Sequence, residues 1–186
     1  MPPEQQRHYI AELLNRRVDG IVVKGRRRDE RRSVGQLPIP VVYVLGRSDD
    51  PEDLTVTNDD EQGSRLAVEH LVAHGRTRLA GLLGRRTGGL VDGVVCGSDQ
   101  IARGLTDGLR EAGVRVPQDV SVVGFDNWNV MVEAARPPLT TIDPKLVRLG
   151  RLSASRLLTA IDGAELGRGV VAQPCELVIR ESSVPT

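Results

Sequence analysis

Pro117-Gln118-Asp119-Val120-Ser121-Val122-Val123-Gly124-Phe125-Asp126-Asn127 is the stretch that decides the fold. Val120, Val122, Val123 and Phe125 form a short apolar run rich in β-branched residues, bounded by Pro117 and by Asp126-Asn127. Such a run reads as a buried strand of a parallel sheet. The strand ends in a carboxylate. In open α/β sheets, ligands bind in the crevice beyond the carboxyl ends of the strands, which is where Asp126 falls. Two readings of Asp126 stay open on these residues alone: a ligand contact, or the cap of the next turn.

Outward from this strand, apolar spacing predicts strands alternating with helices. Tyr9, Ile10, Leu13 and Leu14 give a helical face over Gln5–Asn15, with strands next at 18–23 and 40–45. Gly46 to Leu54 reads as a loop. Asp59 or Asp60 can cap a helix running to about His74. Residues 79–83 and 90–96 read as strands. Ser98-Asp99 caps a helix to about Ala112 with Ile101, Ala102, Leu105 and Leu109 on its buried face. Beyond the central strand lie a brief extended piece at 140–142, a helix that Asp143 caps and Pro144 opens, and a last strand at 176–180. This order predicts an α/β fold with doubly wound, mostly parallel sheets. One junction is irregular. Parallel neighbours need a crossover of a dozen or more residues, yet only Gly84 to Gly89 separates two strands. Either they form an antiparallel hairpin or a crossover segment is missing.

Composition narrows the function. Among 186 residues, Lys+Arg and Asp+Glu number 25 each, so the balance gives no general argument for nucleic acid or an anionic membrane as partner. No apolar stretch approaches the ~18 residues of a membrane span. The N-terminus lacks the basic start and apolar run of a signal peptide. Cys96 and Cys175 lie far apart in apolar contexts and read as buried thiols of a reducing cytoplasm. His70 and His74 stand four apart, but no third residue has metal-ligand spacing, so no metal is expected. The arginines at 26–28, 31 and 32, interrupted by Asp29 and Glu30, read as a phosphate patch or, more simply, a solvated loop. There is no P-loop, dinucleotide fingerprint or nucleophile elbow, so neither an enzyme nor a cofactor is expected.

Six blocks in sequence order carry a family resemblance: 17–23, 60–71, 96–102, 117–127, 136–142 and 177–183. The chain resembles the effector-binding core of the LacI/GalR transcriptional regulators, which is related to periplasmic sugar-binding proteins. The resemblance implies a two-lobed periplasmic-binding-protein-like architecture, with residues 1–56 and 140–166 in the first lobe and 57–139 and 167–186 in the second. It implies a small-molecule effector, usually a sugar or nucleobase, clamped by the lobes. It implies that Asp126 hydrogen-bonds that effector, with Ser98 standing where relatives commonly carry an Asn that does the same. Trp128 is either a stacking surface for a sugar or a packing residue. The architecture is incomplete against the family: its DNA-reading helix-turn-helix would lie before Met1, the first units of the first lobe are absent, and Gly84 to Gly89 replaces further β–α units. The resemblance implies a cytoplasmic homodimer that reaches DNA only through that missing element. A transport-type sugar-binding protein of the same fold is the alternative.

Overall fold

The computed structural model describes residues 3–25, 30–82 and 91–184. In chain order its elements are α1 (Pro3–Asn15), β1 (Ile21–Lys24), β2 (Val41–Val44), β3 (Leu54–Asn58), α2 (Asp60–Ala73), β4 (Leu79–Leu82) and β5 (Gly93–Cys96). Then come α3 (Asp99–Glu111), β6 (Ser121–Phe125), α4 (Asn129–Val132), β7 (Thr140–Asp143), α5 (Leu146–Ile161), β8 (Gly169–Gln173) and β9 (Glu176–Val178). They make two compact α/β units, each from two separate stretches of chain: Met1–Asn58 with Leu146–Gln173, and Asp59–Lys145 with Pro174–Thr186.

The first unit holds a parallel sheet in the order β1-β2-β3-β8. Helix α5 packs on β2 and β3, burying Val42, Val44, Leu54, Val56, Leu149 and Leu157. Tyr43 is fully buried, and its hydroxyl accepts the Val34 N–H at 2.7 Å. Of the arginine-rich loop, residues 26–29 lie outside the described residues. Arg31 is committed within the unit, donating to the Lys24 carbonyl at 2.9 Å and to Gln6 Oε1 at 3.2 Å.

The second unit holds a five-stranded sheet in the order β4-β5-β6-β7-β9, parallel except for β9, which pairs antiparallel with β7. Every residue of β6 is buried. Its period-two alternation splits the core. Val122 packs with Val94, Cys96 and Ala102 beneath α3, while Val123 and Phe125 pack with Ala67, Leu71 and Ile142 beneath α2. Burying each of these valines contributes about 1.5–3 kcal/mol, which is why this strand sits at the centre. Helix α2 starts where the Asp59 carboxylate accepts the Gln62 N–H at 2.9 Å. Asp60 and Glu61 then stand in the first turn, where the helix dipole favours them.

Three expectations change. Strands β4 and β5 pair in parallel, Leu79 with Gly93 through Leu82 with Cys96, so the hairpin alternative does not hold. The Gly84 to Gly89 junction itself lies outside the described residues. Helix α5 begins at Leu146 rather than at Pro144, because Asp143 is the last residue of β7 and accepts the N–H of Lys145, whose φ is 53°. Finally, the stretch 140–145 sits with the second unit and 167–173 with the first. Hydrogen bonding decides both: β7 ladders onto β6, and β8 onto β3.

Candidate functional site

The segments that leave β5, β6 and β7 build the carboxyl edge of the second sheet. Asp126 comes directly after β6 with φ 112°, and Asn127 continues with φ 50°. Left-handed backbone at non-glycine residues costs of order 1–3 kcal/mol each and persists only where surrounding bonds impose it. Those bonds are present. The Asp126 N–H donates to the Ile142 carbonyl at 2.9 Å. Asn127 donates from Nδ2 to Asp143 Oδ2 at 3.2 Å and accepts from Arg180 Nη2 at 3.0 Å. The Trp128 N–H donates to Asp99 Oδ2 at 2.8 Å.

Asp126 itself is exposed, and among the described residues no donor reaches its carboxyl oxygens. Enough protein surrounds the group to desolvate it partly, and the neighbouring charges of Asp99 and then Asp60 add to this. Its pKa is pushed up to about 6.

Ser98 ends up at the same edge, because β5 and β6 are parallel neighbours and Ser98 comes soon after β5. It is the N-cap of α3, its oxygen accepting the Ile101 N–H at 3.3 Å. Its hydroxyl proton is left to donate. Trp128 is 47% exposed, which fits a stacking surface and a half-buried packing residue alike.

Asp99 departs from the sequence reading. It does not cap the helix; Ser98 does. Asp99 is fully buried, accepting the Thr141 hydroxyl at 2.6 Å and the Trp128 N–H at 2.8 Å. Burial raises its pKa, and those two hydrogen bonds with the charge of Arg180 oppose the rise. Its partners lie 29 and 42 residues away, beyond the reach of any local spacing rule. Gly124 is the one signal in the sequence: a Cβ there would collide with the Asp99 carboxylate, so the strand must carry glycine where the two meet.

The remaining polar clusters serve other ends. His70 Nε2 lies 2.7 Å from Ser183 Oγ, which lies 2.7 Å from Thr140 Oγ1. This chain of contacts pins the C-terminal tail to the sheet. His74 lies ring to ring with His70 at 4.4 Å, and the described residues hold no group of three or more metal-ligating side chains. Cys96 is buried, and burial with the Asp99 charge pushes its thiol up to about 12, leaving it inert. A concavity of about 430 Å³ opens by Thr106, Arg110 and Arg136, at the amino ends of the strands and away from Asp126.

Residues 55–183 match the family described as periplasmic binding protein-like domain. The HTH-type transcriptional repressor PurR of Aliivibrio fischeri is 26% identical over 231 residues, covering 96% of this chain and 68% of PurR. That aligned length exceeds the whole of this chain, so PurR carries internal residues that this chain lacks. Two solved structures share the fold. The Lac repressor dimer bound to operator and the anti-inducer ONPF has a TM-score of 0.84 at 24% identity, covering 99% of this chain and 69% of that one. A periplasmic binding protein/LacI transcriptional regulator from Alkaliphilus metalliredigens complexed with D-xylulofuranose has a TM-score of 0.81 at 21% identity, covering 98% and 84%.

Proposed function

Because the chain belongs to the periplasmic binding protein-like domain family, we propose that it is the effector-sensing module of a LacI/GalR-type transcriptional regulator. The observation that carries this reading is Asp126, an exposed carboxyl with no donor among the described residues, on a strained turn at the carboxyl edge of a parallel sheet. Strain of this kind is kept where a site needs it, and ligands gather at that edge of α/β sheets. The similarity to PurR over nearly the whole chain favours a regulator over a transport protein of the same fold.

The effector is a small polyhydroxylated molecule, most simply a sugar. Asp126 accepts hydrogen bonds from its hydroxyls, Ser98 donates one, and the exposed Trp128 ring offers an apolar face for stacking. The structural neighbour that holds D-xylulofuranose supports this class of ligand. The module binds and does not catalyse. It works in the cytoplasm as a homodimer, as the dimeric Lac repressor neighbour suggests. Every described helix leads into a strand, so no helix-turn-helix occurs among the described residues. DNA is therefore reached through an element that they do not supply.

The test is a thermal-shift panel of neutral pentoses, hexoses and nucleobases on the purified chain. At least one is expected to raise the melting temperature of the wild type and leave the Asp126→Asn variant unmoved. A panel with no hit, repeated by calorimetric titration, would contradict the reading.

A further inference from the structure

Asp99 is the only carboxylate among the described residues that is fully buried. An aspartate at the first position of a helix ordinarily faces solvent, where it interacts with the helix dipole at little cost. Here the side chain turns inward and joins three segments. It takes the Thr141 hydroxyl from β7 and the backbone N–H of Trp128 beyond β6. It also lies against Gly124, where the missing side chain makes room for it. Arg180, whose charge acts on it, is held by the Leu139 carbonyl at 3.0 Å and by Asn127. Hydrogen bonds to an ionised acceptor are shorter and about twice as strong as neutral ones. The Asp126-Asn127 pair sits between β6 and Trp128 with both φ angles positive. Released at the Trp128 end, that turn would relax toward ordinary backbone.

We propose that Asp99 is a positioning residue. By holding the Trp128 N–H and the Thr141 hydroxyl, it keeps the turn 126–128 in its left-handed path and so fixes the Asp126 carboxyl and the Trp128 ring in one arrangement. The functional value of that arrangement rests on the reading of Asp126 and Trp128 as effector contacts. The geometric claim does not, and it is tested without any effector.

Trp128 is the only tryptophan of the chain, so intrinsic fluorescence reports on this turn alone. Acrylamide quenching and emission anisotropy are measured at 25 °C for the wild type, Asp99→Ala, Asp99→Asn and Thr141→Val, with far-UV circular dichroism alongside. Asp99→Ala removes both acceptors. Its quenching constant is expected to rise about twofold and its anisotropy to fall, as for a loop freed on the nanosecond scale, while the dichroism is retained. Asp99→Asn keeps the shape and one acceptor oxygen for the Trp128 N–H, and is expected to return both values to those of the wild type. Thr141→Val removes one donor to Asp99 together with the Oγ1 that the Asn127 N–H reaches at 3.4 Å, and should fall between. Wild-type quenching in the folded Asp99→Ala chain overturns the proposal, as does an Asp99→Asn chain no better than Asp99→Ala. If Asp99→Ala does not fold, Asp99→Ser, whose hydroxyl is one atom too short to hold the Trp128 N–H, decides: raised quenching supports the proposal and unchanged quenching overturns it. Expected quenching with no effector bound by the wild type would remove the effector reading and leave Asp99's hold on the turn intact.

Discussion

The Trp128 N–H donates to the Asp99 carboxylate at 2.8 Å, and this one bond ties the start of α3 to the turn that carries Asp126. The buried carboxylate could not occupy this place if the strand carried a side chain at position 124.

Gly124→Ala tests that fit. The new Cβ would meet Asp99 Oδ1, with the Ala102 Cβ 3.3 Å away leaving little room to shift. Asp99 cannot swing aside without surrendering both hydrogen bonds. Overpacking of a filled core costs about 1–3 kcal/mol, and a chemical-denaturation curve should show a loss in that range. An unchanged midpoint would mean that Asp99 is not fixed where the structure has it.

The raised pKa of Asp126 predicts that this group costs stability at neutral pH. Its folded pKa is pushed up to about 6 by partial desolvation, then by Asp99 and Asp60, against about 4 for an unperturbed carboxylate. Between those values the folded state binds more protons than the unfolded one, so this group's contribution falls as pH rises through the window. Asp126→Asn should accordingly melt above the wild type at pH 7.5 and level with it near pH 4. A variant that melts below the wild type at pH 7.5 would contradict the strained, partly desolvated carboxylate described here.

Ser183→Ala should loosen the tail. Its hydroxyl serves both His70 Nε2 and Thr140 Oγ1, each at 2.7 Å. Removing it leaves the buried His70 Nε2 short of a partner, while Thr140 Oγ1 keeps its bonds with the Arg180 backbone, at a cost of about 1–3 kcal/mol. Urea midpoints measure this. Burial, and after it the nearby His74, lowers the His70 pKa. Protonating that ring therefore costs stability as pH falls below about 6.5, opposite in sign to the Asp126 effect. A Ser183→Ala midpoint equal to the wild type would show the tail to be held by other contacts.

Much of this arrangement is legible in the sequence, and the exceptions share a cause. The apolar run of Val120, Val122, Val123 and Phe125 announces the central strand, and Ser98 and Asp59 mark helix starts by local hydrogen-bonding chemistry that sequence carries directly. Strands β3 and β8 are absent from the sequence reading. Thr55 and Thr57 interrupt the apolar pattern of the first, and Gly169 and Gln173 flank only a short apolar run in the second. Their strand character comes from pairing with each other at long range. The same holds for the site. Asp126 is visible because a strand-end carboxylate is a local feature. Asp99 reads as a cap because its partners, Trp128 and Thr141, come from other elements.

The proposed contact between Asp126 and the effector is open to direct titration. Calorimetric titration of the wild type and Asp126→Asn, at pH 7.5 with the sugar that gives the largest thermal shift, tests it most directly. Hydrogen bonds to a charged acceptor contribute about 1.5–3 kcal/mol, so the variant should bind about tenfold or more weakly while folding as well as the wild type. Equal affinity in the two chains would contradict it.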